Sequence, residues 1–93
     1  MADSPTSRVR KVAGSYLESP VDGELMVLNV ATGTFNGLKD VGLAIWRALD
    51  ETDDPAAISA MLGERYDVTP ERCTQEVGAF LDTLIEAGLL APA

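Results

Sequence analysis

One stretch, residues 23–46, constrains the fold more than any other part of this chain. Its sequence is GELMVLNVATGTFNGLKDVGLAIW. The aliphatic and β-branched residues at 24–30 predict a strand, residues 31–33 supply turn chemistry, and residues 34–37 resume as a short second strand. After Leu38 the apolar spacing changes to that of a helix. The stretch therefore predicts a β-hairpin that leads directly into an amphipathic helix.

A further strand is predicted before this hairpin, at residues 9–19. Residues 20–23 then predict a tight turn, because the Asp-Gly pair within them favours positive φ angles. The strand at 24–30 is apolar at even and at odd positions, so it is expected either to be covered on both faces or to be the central strand of a small sheet. Together these patterns predict three antiparallel strands.

Three helices are predicted after the strands. The first, at about residues 39–49, repeats apolar residues at a spacing of four, at Val41, Ile45 and Leu49. The second and third each begin with a capping residue followed by proline, at Asp54-Pro55 and at Thr69-Pro70. The third helix is expected to run to about residue 87, where Gly88 suits the left-handed position that ends a helix.

The predicted order β-β-β-α-α-α defines an α+β fold with a winged-helix-like outline. A length of 93 residues fits one domain, expected at residues 9–93 after a flexible N-terminal tail at residues 1–8. No apolar run approaches the ~18 residues that a membrane span needs, so no membrane partner is expected. The N-terminus lacks the pattern of a signal peptide, which predicts a cytoplasmic protein.

The residue content excludes most catalytic chemistry. The chain has one cysteine and no histidine, so an intramolecular disulfide, a zinc or haem site and a histidine-dependent nucleophile are all excluded. The acidic stretch at residues 50–54 does not fit a calcium loop, because the positions for Gly and Glu hold Pro55 and Met61. We therefore expect no enzyme activity, no metal and no cofactor.

The net charge of −8, from 15 acidic and 7 basic side chains, argues against a nucleic-acid partner. A winged-helix outline leaves a degenerate transcription regulator as an alternative of a different class. Its third helix, however, would read DNA with Arg72 alone against several carboxylates. We expect no nucleic-acid binding.

The short strand at residues 34–37 is predicted to remain an edge of the sheet. Lys39 is the only nearby charge that would discourage another chain from pairing with it. The third helix has more apolar positions than one narrow stripe requires, and either some of them face a groove beside the edge or all of them are core. Phe80 and Leu84 lie one turn apart and are the candidates for the floor of such a groove. An edge beside an apolar helix is typical of β-augmentation, in which an extended peptide adds a strand.

The order of landmarks along the chain resembles the PqqD-like family. The hairpin and first helix carry its pattern at Gly23-Glu24, Leu28, Thr32-Gly33, Phe35, Leu38, Gly42, Ile45-Trp46 and Leu49. The C-terminal part is similar to its closing pattern at Val77, Phe80-Leu81, Leu84 and Gly88-Leu89-Leu90. One departure is Lys39, where the family usually has asparagine, so a cap for the first helix is expected from Asp40 or Asn36.

The resemblance implies a RiPP recognition element, a module that binds the leader region of a ribosomally made precursor peptide. In that family the leader adds a strand to the third strand and lies against the third helix. The peptide-binding residues implied here are Thr34, Phe35, Asn36, Gly37, Cys73, Glu76, Val77, Phe80, Leu81 and Leu84. From its position alone, Cys73 is better interpreted as a small buried hydrophobe than as a reactive thiol.

The family module makes no covalent bonds itself but presents the precursor to partner enzymes. In lasso-peptide biosynthesis the partners are a leader peptidase and a cyclase, and the free-standing chain is most similar to that version. The alternative within the family is a precursor chaperone for a radical enzyme of another pathway.

Overall fold

The computed structural model describes residues 8–93, which fold into three helices and five strands. In chain order these are β1 Val9–Lys11, β2 Tyr16–Val21, β3 Glu24–Asn29, β4 Phe35–Leu38, α1 Asp40–Ala48, α2 Pro55–Arg65, α3 Pro70–Glu86 and β5 Leu90–Pro92. Residues 1–7 of the tail predicted at residues 1–8 lie outside the described residues. Arg8, the last residue of that predicted tail, forms an ion pair with Asp53, and its carbonyl accepts a hydrogen bond from the Ala93 N–H.

The α+β prediction is confirmed, with a three-stranded antiparallel sheet in the order β2-β3-β4. The strand predicted at residues 9–19 is wrong in one respect, because a turn at residues 12–15 divides it into β1 and β2. Gly14 adopts a φ of 83° there, and the Ser15 N–H donates to the Val12 carbonyl. This reversal sends β1 away from the larger sheet to pair with β5, a strand that the sequence did not predict.

The turn between β2 and β3 consists of two residues, Asp22 and Gly23, with φ angles of 50° and 82°. Two consecutive positive φ angles are typical of the type I′ turn that fits the twist of a hairpin. The second hairpin places β4 one residue later than predicted, at Phe35–Leu38. Both predicted hairpins are therefore present, and β3 is the central strand.

The helix starts follow the capping predictions in two of three cases. The Asp54 carboxylate accepts from the Ala56 N–H at 3.0 Å, and the Thr69 hydroxyl accepts from the Arg72 N–H at 3.2 Å. The cap predicted for α1 is wrong, because no side chain caps this helix. Asp40 instead has a φ of 53°, so the chain enters α1 through a left-handed residue. At the other end of α3, Gly88 has the predicted left-handed conformation, with a φ of 83°.

A single hydrophobic core lies between the inner face of the sheet and the three helices. Trp46 is 1% exposed and donates from Nε1 to Glu18 Oε2 at 2.6 Å. The outer face of the sheet, by contrast, has no element packed over its apolar side chains among the described residues, and Leu17, Val30 and Phe35 are exposed there. The apolar character of β3 on both faces thus reflects its central position.

None of the helices within residues 8–93 is long and apolar enough to cross a membrane. In the same part of the chain, no group of three or more Cys, Asp or Glu side chains is arranged to hold a metal ion.

Candidate peptide-binding site

Strand β4 is an edge of the three-stranded sheet. It pairs with β3 through Leu25↔Leu38, Met26↔Gly37, Val27↔Asn36 and Leu28↔Phe35. Within residues 8–93 no strand pairs with its other side. The side of β4 that faces away from β3 is therefore open.

The register shows which backbone groups of β4 are directed outward. The Asn29 N–H donates to the Thr34 carbonyl at 2.8 Å. In an antiparallel pair, successive residues alternate between facing the partner strand and facing away. Thr34, Asn36 and Leu38 therefore face β3, whereas Phe35 and Gly37 direct their N–H and C=O groups outward. These two residues lie about 7 Å apart along the strand, which is the repeat of an added β-strand.

A groove of about 400 Å³ runs between β4 and α3. It is lined by Asn29, Thr32, Thr34, Asn36, Gly37, Leu38, Phe80, Thr83, Leu84 and Ala87. None of these lining residues is charged. We call this surface the β4–α3 groove, and an extended segment paired with β4 would place alternate side chains in it.

The apolar wall of the groove is held by packing against α1. A Cβ atom added to Gly42 would lie 3.4 Å from Phe80 Cε1, which is ordinary van der Waals contact. The half-buried Phe80 ring therefore lies directly against α1 at Gly42. Leu38 and Leu84 are buried beneath it, so the floor of the groove is continuous with the core.

The structure separates the predicted site residues into two groups. Thr34, Asn36, Gly37, Phe80 and Leu84 line the β4–α3 groove. The Phe35 side chain lies elsewhere, on the outer face of the sheet beside its partner Leu28, and is 63% exposed.

The other predicted residues of α3 do not line the groove. Val77 and Leu81 are 1% and 2% exposed and belong to the core, as does Cys73. Glu76 is exposed at the surface and accepts a hydrogen bond from Arg72 Nε at 2.9 Å. The apolar surplus of α3 is thus mostly core, with Phe80 and Leu84 as the part that reaches the groove.

Five lining residues were not among the predicted site residues: Asn29, Thr32, Leu38, Thr83 and Ala87. Thr83 lies three residues after Phe80, and Ala87 lies four residues after Thr83, so helical spacing from Phe80 would have found them. Asn29 interrupts an aliphatic strand, and a polar residue in such a place is a signal for a specific hydrogen-bonding role.

A second depression lies at the β2 edge of the sheet and has a different character. It is lined by Glu18, Pro20, Leu25, Trp46, Arg47 and Asp50. On the same strand, burial and then the carboxylates of Glu18 and Asp50 raise the pKa of Tyr16 above its ordinary value of 10.0. The β2 edge is therefore charged where the β4–α3 groove is not.

The family model for Coenzyme PQQ synthesis protein D (PqqD) matches residues 24–90. This span covers both β3 and β4 and all three helices. The chain therefore belongs to the PqqD family and is a PqqD-like RiPP recognition element. No protein with a curated description matches it significantly.

Two solved structures share the fold. One is described as TbiB1 in complex with the TbiA(beta) leader peptide; it is 30% identical, with a TM-score of 0.77 over 86% of this chain and 93% of that one. The other is described as lasso peptide synthetase B1 complexed with the leader peptide, at 23% identity and a TM-score of 0.76. That match covers 92% of this chain and all of the other and supports the fold alone.

Proposed function

We propose that this protein is a non-catalytic leader-peptide-binding protein of RiPP biosynthesis, most specifically of a lasso-peptide pathway. It binds the leader region of a precursor peptide in the cytoplasm and presents that precursor to a leader peptidase and a cyclase. The observation that carries the proposal is the open edge of β4 next to the uncharged β4–α3 groove. The 30% identical relative described as TbiB1, in complex with a leader peptide, supports it.

Typical free energies indicate how much the β4 edge and the β4–α3 groove each contribute to peptide affinity. Phe35 and Gly37 together offer four backbone hydrogen bonds, each with a net value of about 0.5–1.5 kcal/mol. Ordering an extended peptide costs roughly 1–2 kcal/mol per residue, so pairing with β4 alone roughly breaks even. Each apolar side chain buried in the groove adds about 1.5–3 kcal/mol. The edge therefore sets register and direction, and the groove supplies most of the net affinity.

A role without catalysis agrees with the residue content. The chain has no histidine, and its one cysteine, Cys73, is only 4% exposed. A nucleophile must reach its substrate, and a buried thiol cannot. Mass spectrometry of a precursor peptide incubated with this protein alone should show an unchanged mass. A cleaved or modified peptide would contradict the non-catalytic role.

The direct test is to identify a short precursor peptide in the neighbouring reading frames and to titrate its leader segment by calorimetry. We expect a saturable one-to-one complex, with amide chemical-shift changes concentrated at residues 35–38 and 80–87. Intrinsic fluorescence is a poor readout, because Trp46 is buried against β2, away from the groove. An absence of binding, or shifts confined to another surface, would contradict the proposal.

The family name favours one second candidate, a precursor chaperone for a radical enzyme, since the matching model describes a coenzyme PQQ synthesis protein. The two roles share the same groove and differ in the partner enzyme. Co-purification of the tagged, peptide-loaded protein with each enzyme encoded nearby distinguishes them. Capture of a peptidase and cyclase supports the lasso-peptide role, and capture of a radical enzyme supports the alternative.

A further inference from the structure

Asn29, the last residue of β3, lies at the end of the β4–α3 groove and is only 3% exposed. Its side-chain nitrogen donates to the Ala87 carbonyl at 2.9 Å. Its side-chain oxygen accepts from the N–H groups of Ala31 and Thr32 at 3.1 and 3.4 Å. One side chain thus holds both the β3–β4 turn and the residue that follows α3.

This amide is the direct link between the two walls of the groove. Among the hydrogen bonds of residues 8–93, the bond from Asn29 to Ala87 is the one that joins the three-stranded sheet to the α3 region. Otherwise β4 packs mainly on β3, and α3 packs mainly on α2. At the turn end of the groove, the two walls are therefore joined by one side-chain hydrogen bond.

We propose that Asn29 is a positioning residue for peptide recognition, which fixes the width of the β4–α3 groove by tying the β3–β4 turn to Ala87. The inference rests on the proposed function and identifies what preorganises that site. A gap of even 0.5–1 Å forfeits roughly a quarter to a half of a dispersion contact. A groove already held at the correct width also avoids an ordering cost when the peptide binds.

The test variant is Asn29→Asp, which keeps the size of the side chain and the oxygen that accepts from the turn. It replaces the donor to Ala87 with a second acceptor, so the link between the walls is lost. We expect affinity for a leader peptide to fall about tenfold, the equivalent of about 1.4 kcal/mol. The probes are two fluorescein-labelled peptides, the TbiA(beta) leader peptide and the leader segment of a short precursor identified in the neighbouring reading frames.

One control separates positioning from stability. Leu62→Ala creates a cavity in α2, away from the groove. We expect it to lower the melting temperature while changing peptide affinity less than twofold. Asn29→Ser removes the link without burying a charge and provides the same test if Asn29→Asp does not fold.

A peptide-free measurement completes the test. Spin labels on Ala31→Cys and Glu86→Cys, in a Cys73→Ala background, report the separation of the two walls. We expect this distance distribution to broaden when Asn29→Asp is added, and an unchanged distribution would overturn the inference. The inference would also be overturned if both Asn29 variants bound the peptides as tightly as the wild-type protein does. Failure of the wild-type protein to bind either peptide would instead overturn the proposed function.

Discussion

The two edges of the three-stranded sheet differ in the backbone groups that they expose. Just before β2, the Ser15 carbonyl accepts from the Val30 N–H at 3.0 Å, so by alternation Tyr16, Glu18 and Pro20 face outward. Pro20 has no N–H and interrupts that row of donors. On β4 both outward residues, Phe35 and Gly37, retain their donors. A proline on an edge strand is a common means of preventing further pairing.

The side chains beside the two edges differ as well. Next to β2, Glu18 accepts from Trp46, and Lys11 Nζ lies 2.8 Å from Asp50 and 4.1 Å from the centre of the Trp46 ring. An incoming strand would have to disturb these paired charges. Next to β4 lies the uncharged β4–α3 groove. The β4 edge therefore differs from the β2 edge in that free backbone groups and an unoccupied apolar surface occur together there.

The largest effect on leader affinity is expected from placing a charge beside β4, whereas the β2 edge already has charged side chains. Phe80→Asp places a carboxylate on the wall of the groove, and we expect it to weaken leader binding by more than ~2 kcal/mol. Ala79→Asp, on the exposed face of the same helix, is the matched control. Calorimetry measures both, with circular dichroism to establish folding. Equal affinity for folded Phe80→Asp would remove Phe80 from the site.

The next largest loss of affinity is expected from introducing a proline into β4, because β2 already contains one. Phe35→Pro removes one outward N–H and places a ring in the path of the added strand, so we expect about a tenfold loss of affinity or more. Phe35→Ala keeps the N–H and should cause a clearly smaller loss. Binding that is unaffected by Phe35→Pro would assign the peptide to another surface.

A smaller effect, on stability and not on affinity, is expected at Cys73, an α3 residue that lies in the core and not in the groove. Cys73→Ala removes a buried sulfur atom, and we expect it to lower the free energy of unfolding by roughly 1 kcal/mol through the cavity that it leaves. Urea denaturation measures this loss. Leader affinity should be unchanged, and a large loss of affinity would place Cys73 in the binding site after all.

The smallest effect concerns the electrostatics of the β2 side. Because the pKa of Tyr16 is raised above 10.0, its neutral form is favoured in the folded protein. The resulting stabilisation is complete below pH 10 and is lost as the pH rises through the folded-state pKa. A spectrophotometric titration in a Tyr66→Phe background isolates Tyr16. Ionisation at or below pH 10.0 would show that burial and the carboxylates do not act on it.

Sequence predicted most accurately the parts of the fold that local chemistry determines. The Asp22-Gly23 turn and the capped starts of α2 and α3 depend on residues within one turn of each other. The pair β1–β5 could not be found in this way, because it joins Val9 to Pro92 through strands of three residues. Strands that short have no periodicity to detect.

The candidate site shows the same division. The open edge and the pair Phe80 and Leu84 were predicted from pattern. Val77 and Leu81 are apolar too, and only the rotation of α3 against the sheet places them in the core. That rotation depends on packing between distant elements, and so does the contact from Asn29 to Ala87.

Amide hydrogen exchange of the two edges, with and without the leader peptide, shows which edge pairs with the peptide. We predict that the Phe35 and Gly37 amides exchange quickly in the free protein and slow markedly in the complex, whereas Tyr16 and Glu18 change little. Protection of the β2 amides instead, or unaltered exchange at Phe35 and Gly37 in a saturated complex, would contradict this prediction.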